Sequence, residues 1–153
     1  AAGCVTRPKE TLPAVARSFP AEGLIVQRAV LTARGRQFTL NGYLSLSSTG
    51  GKRLVVMENF GSVLADVLVK PDGRVYVMRS SQALRRKWIE RYVAADLQCV
   101  FGSNWDGKCP GRMLSPTHFV IERFWYKLDL QIVDIKSGPQ PAAVFDETVT
   151  AAP

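Results

Sequence analysis

The sequence predicts a mainly β (α+β) fold: a curved, antiparallel, half-open β-barrel with one amphipathic helix packed on or in it. Three observations predict it. Phe38, Leu40, Leu44 and Leu46 alternate with Gln37, Thr39, Asn41, Tyr43, Ser45 and Ser47, the period of a half-buried strand. Further strand-like segments follow at short intervals, separated by Ser48-Thr49-Gly50-Gly51 and Pro71-Asp72-Gly73, which are turn sequences. From about Gln82 the apolar period changes from that of a strand to that of a helix.

In chain order, Leu24 to Arg34 reads as the first strand, ending at the tight turn Arg34-Gly35-Arg36. Gly42, inside the second strand, predicts a bend or bulge of the kind that lets a sheet curl. In Lys52 to Phe60 both alternation phases are apolar around Leu54-Val55-Val56-Met57, so both faces should be covered. Ser62 to Lys70 sets Val63, Ala65, Val67 and Val69 on one face, and Leu64 and Leu68 beside Asp66 on the other. Arg74 to Met78 is a short strand. Ser80 or Ser81 is the expected N-cap of the helix, whose stripe is Leu84, Trp88, Ile89, Tyr92 and Val93. Leu97 to Phe101 re-enters the core, Pro110-Gly111 turns, and Arg112 to Ile135 holds two or three strands. Among these, residues 117–123 alternate, as do Tyr126, Leu128, Leu130 and Ile132.

Three regions follow from this reading: a tether over residues 1–21, one folded domain over 22–136, and an unstructured tail over 137–153. Pro8, Pro13 and Pro20 keep the first region from forming a long helix. Ser-Gly-Pro-Gln-Pro-Ala-Ala opens the last. At 153 residues the chain is long enough for a single core. No apolar run reaches the ~18 residues of a membrane-spanning helix.

Twenty basic residues against 13 acidic ones give a net charge of +7, a field that favours polyanions or anionic surfaces. On the helix, Arg85, Arg86, Lys87 and Arg91 are the densest basic group. They are either a solvated back or a contact with an anionic membrane surface. An aromatic-and-basic nucleic-acid motif is missing, so no nucleic-acid partner is expected. Cys99 and Cys109 bracket the polar stretch 102–108. A disulfide is favoured over zinc, because a zinc site needs further ligands and His118 is the only histidine. No metal or cofactor is expected. Nor is an enzyme: there is no nucleophile elbow, zinc-protease helix or phosphate-binding loop. Glu58, Asp66 and Glu122 read more simply as edge or surface carboxylates than as an acid–base pair.

The inward phase of the strands, Phe38, Leu40, Leu44, Leu46, Val56 and Val67, together with Trp88 and Tyr92 of the helix, would line an apolar cavity. The same residues could instead fill a closed core. Ala1-Ala2-Gly3-Cys4 resembles the end of a bacterial lipoprotein signal, with Cys4 as the lipid-attachment residue. The order of segments, with "GRQFTLNGYLSLS" opening the meander and "RRKWIERYVAADLQCVFG" closing it, is similar to the LolA/LolB-like lipoproteins over roughly Leu24 to Ile135. That resemblance implies a helix followed by Asp-Leu and an apolar strand, and an apolar concavity that takes up lipid or lipoprotein acyl chains. It also implies a location at the periplasmic face of the outer membrane, since Val5 stands where an aspartate would favour retention at the inner membrane. A non-enzymatic structural or protein-interaction module of the cell envelope is the alternative, with another envelope protein as its partner.

Overall fold

In the computed structural model, residues 19–102 and 109–148 are described. Cys4, Trp105 and most of the tether lie outside them. Eight strands are present among the described residues: β1 (Gly23–Ala33), β2 (Arg36–Leu46), β3 (Lys52–Glu58), β4 (Val63–Val69), β5 (Val75–Ser80), β6 (Gly111–Ser115), β7 (His118–Glu122) and β8 (Tyr126–Ser137). They form one antiparallel sheet in the order β5-β4-β3-β2-β1-β8-β7-β6. The sheet is open: β5 and β6 are its two edges and do not pair with each other. Both are short, which limits the unpaired backbone they offer to other chains.

One register organises the core. Ile25, Gln27, Ala29 and Leu31 of β1 stand opposite Leu44, Gly42, Leu40 and Phe38 of β2, and directly opposed residues share a face. The face continues through Leu54 and Val56 of β3 to Val67 and Ala65 of β4. In the other direction it continues through Leu128 and Leu130 of β8 to Ile121 and Phe119 of β7. This face is covered by a helix of 16 residues, α1, formed by Arg86–Trp88, a π turn at Ile89–Val93, and Ala94–Phe101. Ile89, Ala94, Leu97 and Val100 are buried, each apolar side chain of leucine size contributing roughly 1.5–3 kcal/mol.

Several expectations need correction. Leu97 to Phe101 is the last part of the helix, not a strand. Ala94 and Ala95 are strong helix formers and no turn residue precedes Leu97, so nothing stops propagation. The π turn then absorbs the five-residue step from Ile89 to Ala94, which the 3.6-residue period cannot accommodate on one face. The helix also starts later than Gln82: Ser81 Oγ accepts from Leu84 N (3.2 Å) in the turn before it, while Arg85 at the N-cap makes no side-chain cap.

Gly42 carries no bulge, since β1 and β2 pair without a register shift from end to end. The shifts lie elsewhere, among them Val26/Gln27, Val56/Met57 and Asp66/Val67. Glycine is needed at 42 because the Gln27 side chain lies across it. A Cβ there would sit 2.7 Å from Gln27 Cγ.

Described residues from both terminal regions pack against the sheet and helix. Phe19, counted with the tether, packs on Phe101 (5.0 Å between centroids) and Phe119 (6.4 Å). Beyond β8, Ala142–Phe145 forms a 3-10 turn over the second face of the sheet. There Arg53 and Asp66 form a bidentate pair (Nε–Oδ1 2.9 Å, Nη2–Oδ2 2.7 Å) that is almost wholly buried. Arg53 Nη1 donates to the Val144 carbonyl (2.9 Å), and Lys70 Nζ donates to that of Phe145 (3.2 Å) and pairs with Glu147. Arg53 and Lys70 on the sheet thus hold this segment by its carbonyls, and Val144 and Phe145 are half-buried there.

Candidate functional site

The helix-covered face is not uniformly filled. Strands β1, β3, β5 and β7 all run towards one end of the sheet, and β2, β4 and β8 start from it. The turns at 34–35, 59–62 and 123–125 and the 81–85 segment therefore gather at that end. There a wide mouth of about 820 Å³ opens between the β1–β2 turn, the segment before α1, and Trp125. Phe38, Leu31, Leu64, Leu84 and Trp88 form its walls. Behind it a deeper cavity of about 90 Å³ lies between sheet and helix, lined by Val56, Leu97, Val100 and Leu128 among others. Leu31, Leu40, Leu84, Trp88 and Tyr126 line both spaces, so the two adjoin. The mouth falls in the size range of small-molecule sites, roughly 300–1,000 Å³.

Of the eight residues expected to line a cavity, four do. Phe38 stands at the mouth, 40% exposed. Leu40 and Trp88 face both spaces, and Val56 faces the deeper one. Tyr92 lines neither, but its ring packs edge-on against Trp125 and Tyr126 and tilted against Trp88, buttressing the wall. Leu44, Leu46 and Val67 are fully packed among core side chains further along the sheet. A charge placed at Leu44 or Val67 would thus test the fold, not the site.

The basic helix residues do not act as one patch. Arg85 lines the mouth. Arg86 Nη2 donates to the Val77 carbonyl (2.7 Å), which fastens the helix to β5. Arg91 lies over the Tyr92 ring at 5.6 Å, and Lys87 is exposed. The β1–β2 turn instead supplies two further arginines at the mouth, Arg34 and Arg36. Arg34 and Gly35 both have positive φ (51° and 71°), as a two-residue type I′ hairpin requires.

Two buried polar groups border the cavity. Asp96 on α1 accepts from Arg123 Nε (3.0 Å) and Nη2 (2.6 Å) and from the Tyr126 hydroxyl. Burial pushes the Asp96 carboxyl above the usual carboxylate range, although the bonds from Tyr126 and Arg123 pull the other way. The same burial, with Asp96 as acceptor, raises Tyr126 so that it stays protonated. This trio fixes the helix across the β7–β8 turn. Gln27 is the second group: it is 3% exposed, lines the deeper cavity, and its Oε1 has no hydrogen-bond partner among the described residues. Neither group had a sequence signal of its own, except that Gln27 interrupts the apolar phase Ile25-x-x-x-Ala29-x-Leu31.

At the same end of the sheet, Phe60 and Phe124 are almost wholly exposed (95% and 100%) and Trp125 is half exposed. Cys99, near the end of α1, is bonded to Cys109, just before β6, with 5.6 Å between Cα atoms. No helix among the described residues is long and apolar enough to cross a membrane. No known family model matches the chain, and no curated protein matches it.

Proposed function

We propose that the protein binds the acyl chain of a lipid or lipoprotein between its sheet and α1, as a divergent LolA/LolB-like lipoprotein of the outer membrane anchored through Cys4. In this reading the open sheet is a half-barrel and the helix its partial lid. The observation that carries it is the apolar mouth, continued inward by a cavity between sheet and helix and walled by Phe38, Leu31, Leu64 and Trp88. Burying a chain there gains about 0.8 kcal/mol per methylene. Exposed Phe60 and Phe124 at the same end support a bilayer as the source or destination of the ligand. An envelope protein that docks on this end without taking up lipid is the competing reading.

The test is displacement of a fluorescent fatty-acid analogue from the purified protein, together with native mass spectrometry of protein drawn from its own membrane. Ala83→Trp, at an exposed position of the mouth, should abolish probe binding and leave the melting temperature unchanged. Wild-type protein that neither retains a lipid nor takes up the probe would leave the docking module standing.

A further inference from the structure

Resting on the proposed lipid site, the geometry points to a ligand with an anionic headgroup, held at the mouth by Arg34, Arg36 and Arg85. All three line the mouth. They come from separate segments, the β1–β2 turn and the residue before α1, and converge on one opening. All three are exposed, and none makes an ion pair or a side-chain hydrogen bond among the described residues. Elsewhere the arginines near this face are committed: Arg86 to the Val77 carbonyl and Arg123 to Asp96. No carboxylate lines the mouth among the described residues. Glu58 stands opposite Leu40 at the end of β3, and even that one carboxylate against three guanidiniums leaves two positive charges in excess.

Placement adds to this. In a type I′ turn the position of Arg34 favours Asn, Asp or Gly, because a side chain at positive φ is strained. The turn carries an arginine there all the same. Below the arginines the walls are apolar, so a ligand reaching from rim to depth must be charged at one end and apolar along the rest. The chemical class is an acyl chain ending in a carboxylate or a phosphate. Guanidinium binds both oxyanions with paired hydrogen bonds.

The experiment titrates delipidated full-length protein with three ligands of equal chain length: palmitate, palmitoyl lysophosphatidate and neutral monopalmitoylglycerol. Trp88 and Trp125, both at the mouth, supply the fluorescence signal. The anionic ligands should bind roughly tenfold or more tightly than the neutral one, as hydrogen bonds to charged groups are worth at least that. The double substitution Arg36→Glu and Arg85→Glu should erase that preference, leaving the affinity for monopalmitoylglycerol and the melting temperature unchanged. Tighter lysophosphatidate identifies a phosphate head and tighter palmitate a carboxylate; either supports the assignment. Equal affinity for the neutral ligand, or an equal loss of all three on charge reversal, overturns the headgroup site while the lipid site stands. Failure of all three to bind overturns both.

Discussion

Asp96 shows how one residue can couple helix to sheet at a cost. Its carboxyl is buried against Arg123 and Tyr126, residues roughly thirty positions away in the chain, and burial raises its proton affinity in the native state. The native form therefore holds this proton more tightly than the unfolded chain. Stability from this group is greatest in acid and is lost as pH rises from the ordinary carboxylate value of about 4 through the raised native one. Asp96→Asn keeps an acceptor for Tyr126 and removes the titration. It should cost about 1–2 kcal/mol, with a deficit relative to wild type that is larger at pH 4 than at pH 7 by urea denaturation. A deficit that grew with pH would mean that the ion pair with Arg123 outweighs burial. Arg34 offers a second measurement at this scale. Arg34→Asn should stabilise the protein by roughly 1 kcal/mol, since Asn tolerates positive φ where Arg is strained.

Among the elements, α1 and its disulfide are where local rules and tertiary packing compete. The first half of the helix was legible from the stripe Leu84, Trp88, Tyr92. Its second half was not, because a π turn shifts the apolar phase by one residue, and a search at constant period sees a break there. The Cys99–Cys109 bond closes a loop of about ten residues and ties the helix end to the strand that follows. Replacing both cysteines by serine, or reducing the bond, should lower unfolding stability by about 2–3 kcal/mol. The loss should appear as a lower denaturation midpoint with the β-sheet circular dichroism of the folded state retained. An unchanged midpoint in the oxidised and reduced proteins would show that the bond closes a loop already held by packing.

At the scale of the whole molecule, the sheet is clothed on two faces by different means. The helix covers one. On the other the C-terminal segment covers the Arg53–Asp66 pair, with Val144 supplying a carbonyl to Arg53. Removing residues 141–153 should cost roughly 1–3 kcal/mol, the range for depriving a buried donor of its acceptor. Arg53→Ala alone should cost more, about 3–5 kcal/mol, because it breaks the buried bidentate ion pair with Asp66. Thermal or chemical unfolding of the two variants decides the order. If truncation proved the more damaging, the tail would contribute packing beyond its contact with Arg53.

The alternation of β1 and β2, the turns Arg34-Gly35 and Pro71-Asp72-Gly73, and the stripe of α1 determined by themselves a meander closed by a helix. Each depends on neighbours a few residues apart, where the period of two or 3.6 has a direct steric cause. Tertiary structure alone decided whether the inward residues enclose space. Leu40 and Leu44 have the same spacing, chemistry and face, yet one borders the cavity and the other is packed solid. The difference lies in what packs over each position in three dimensions, which no periodicity encodes. The same holds for the rim: Arg34, Arg36 and Arg85 are ordinary scattered charges in the sequence. They become one group because alternate strands bring their turns to a single end, and charges separated along the chain act together once the fold has paid the entropy of closing the loops between them.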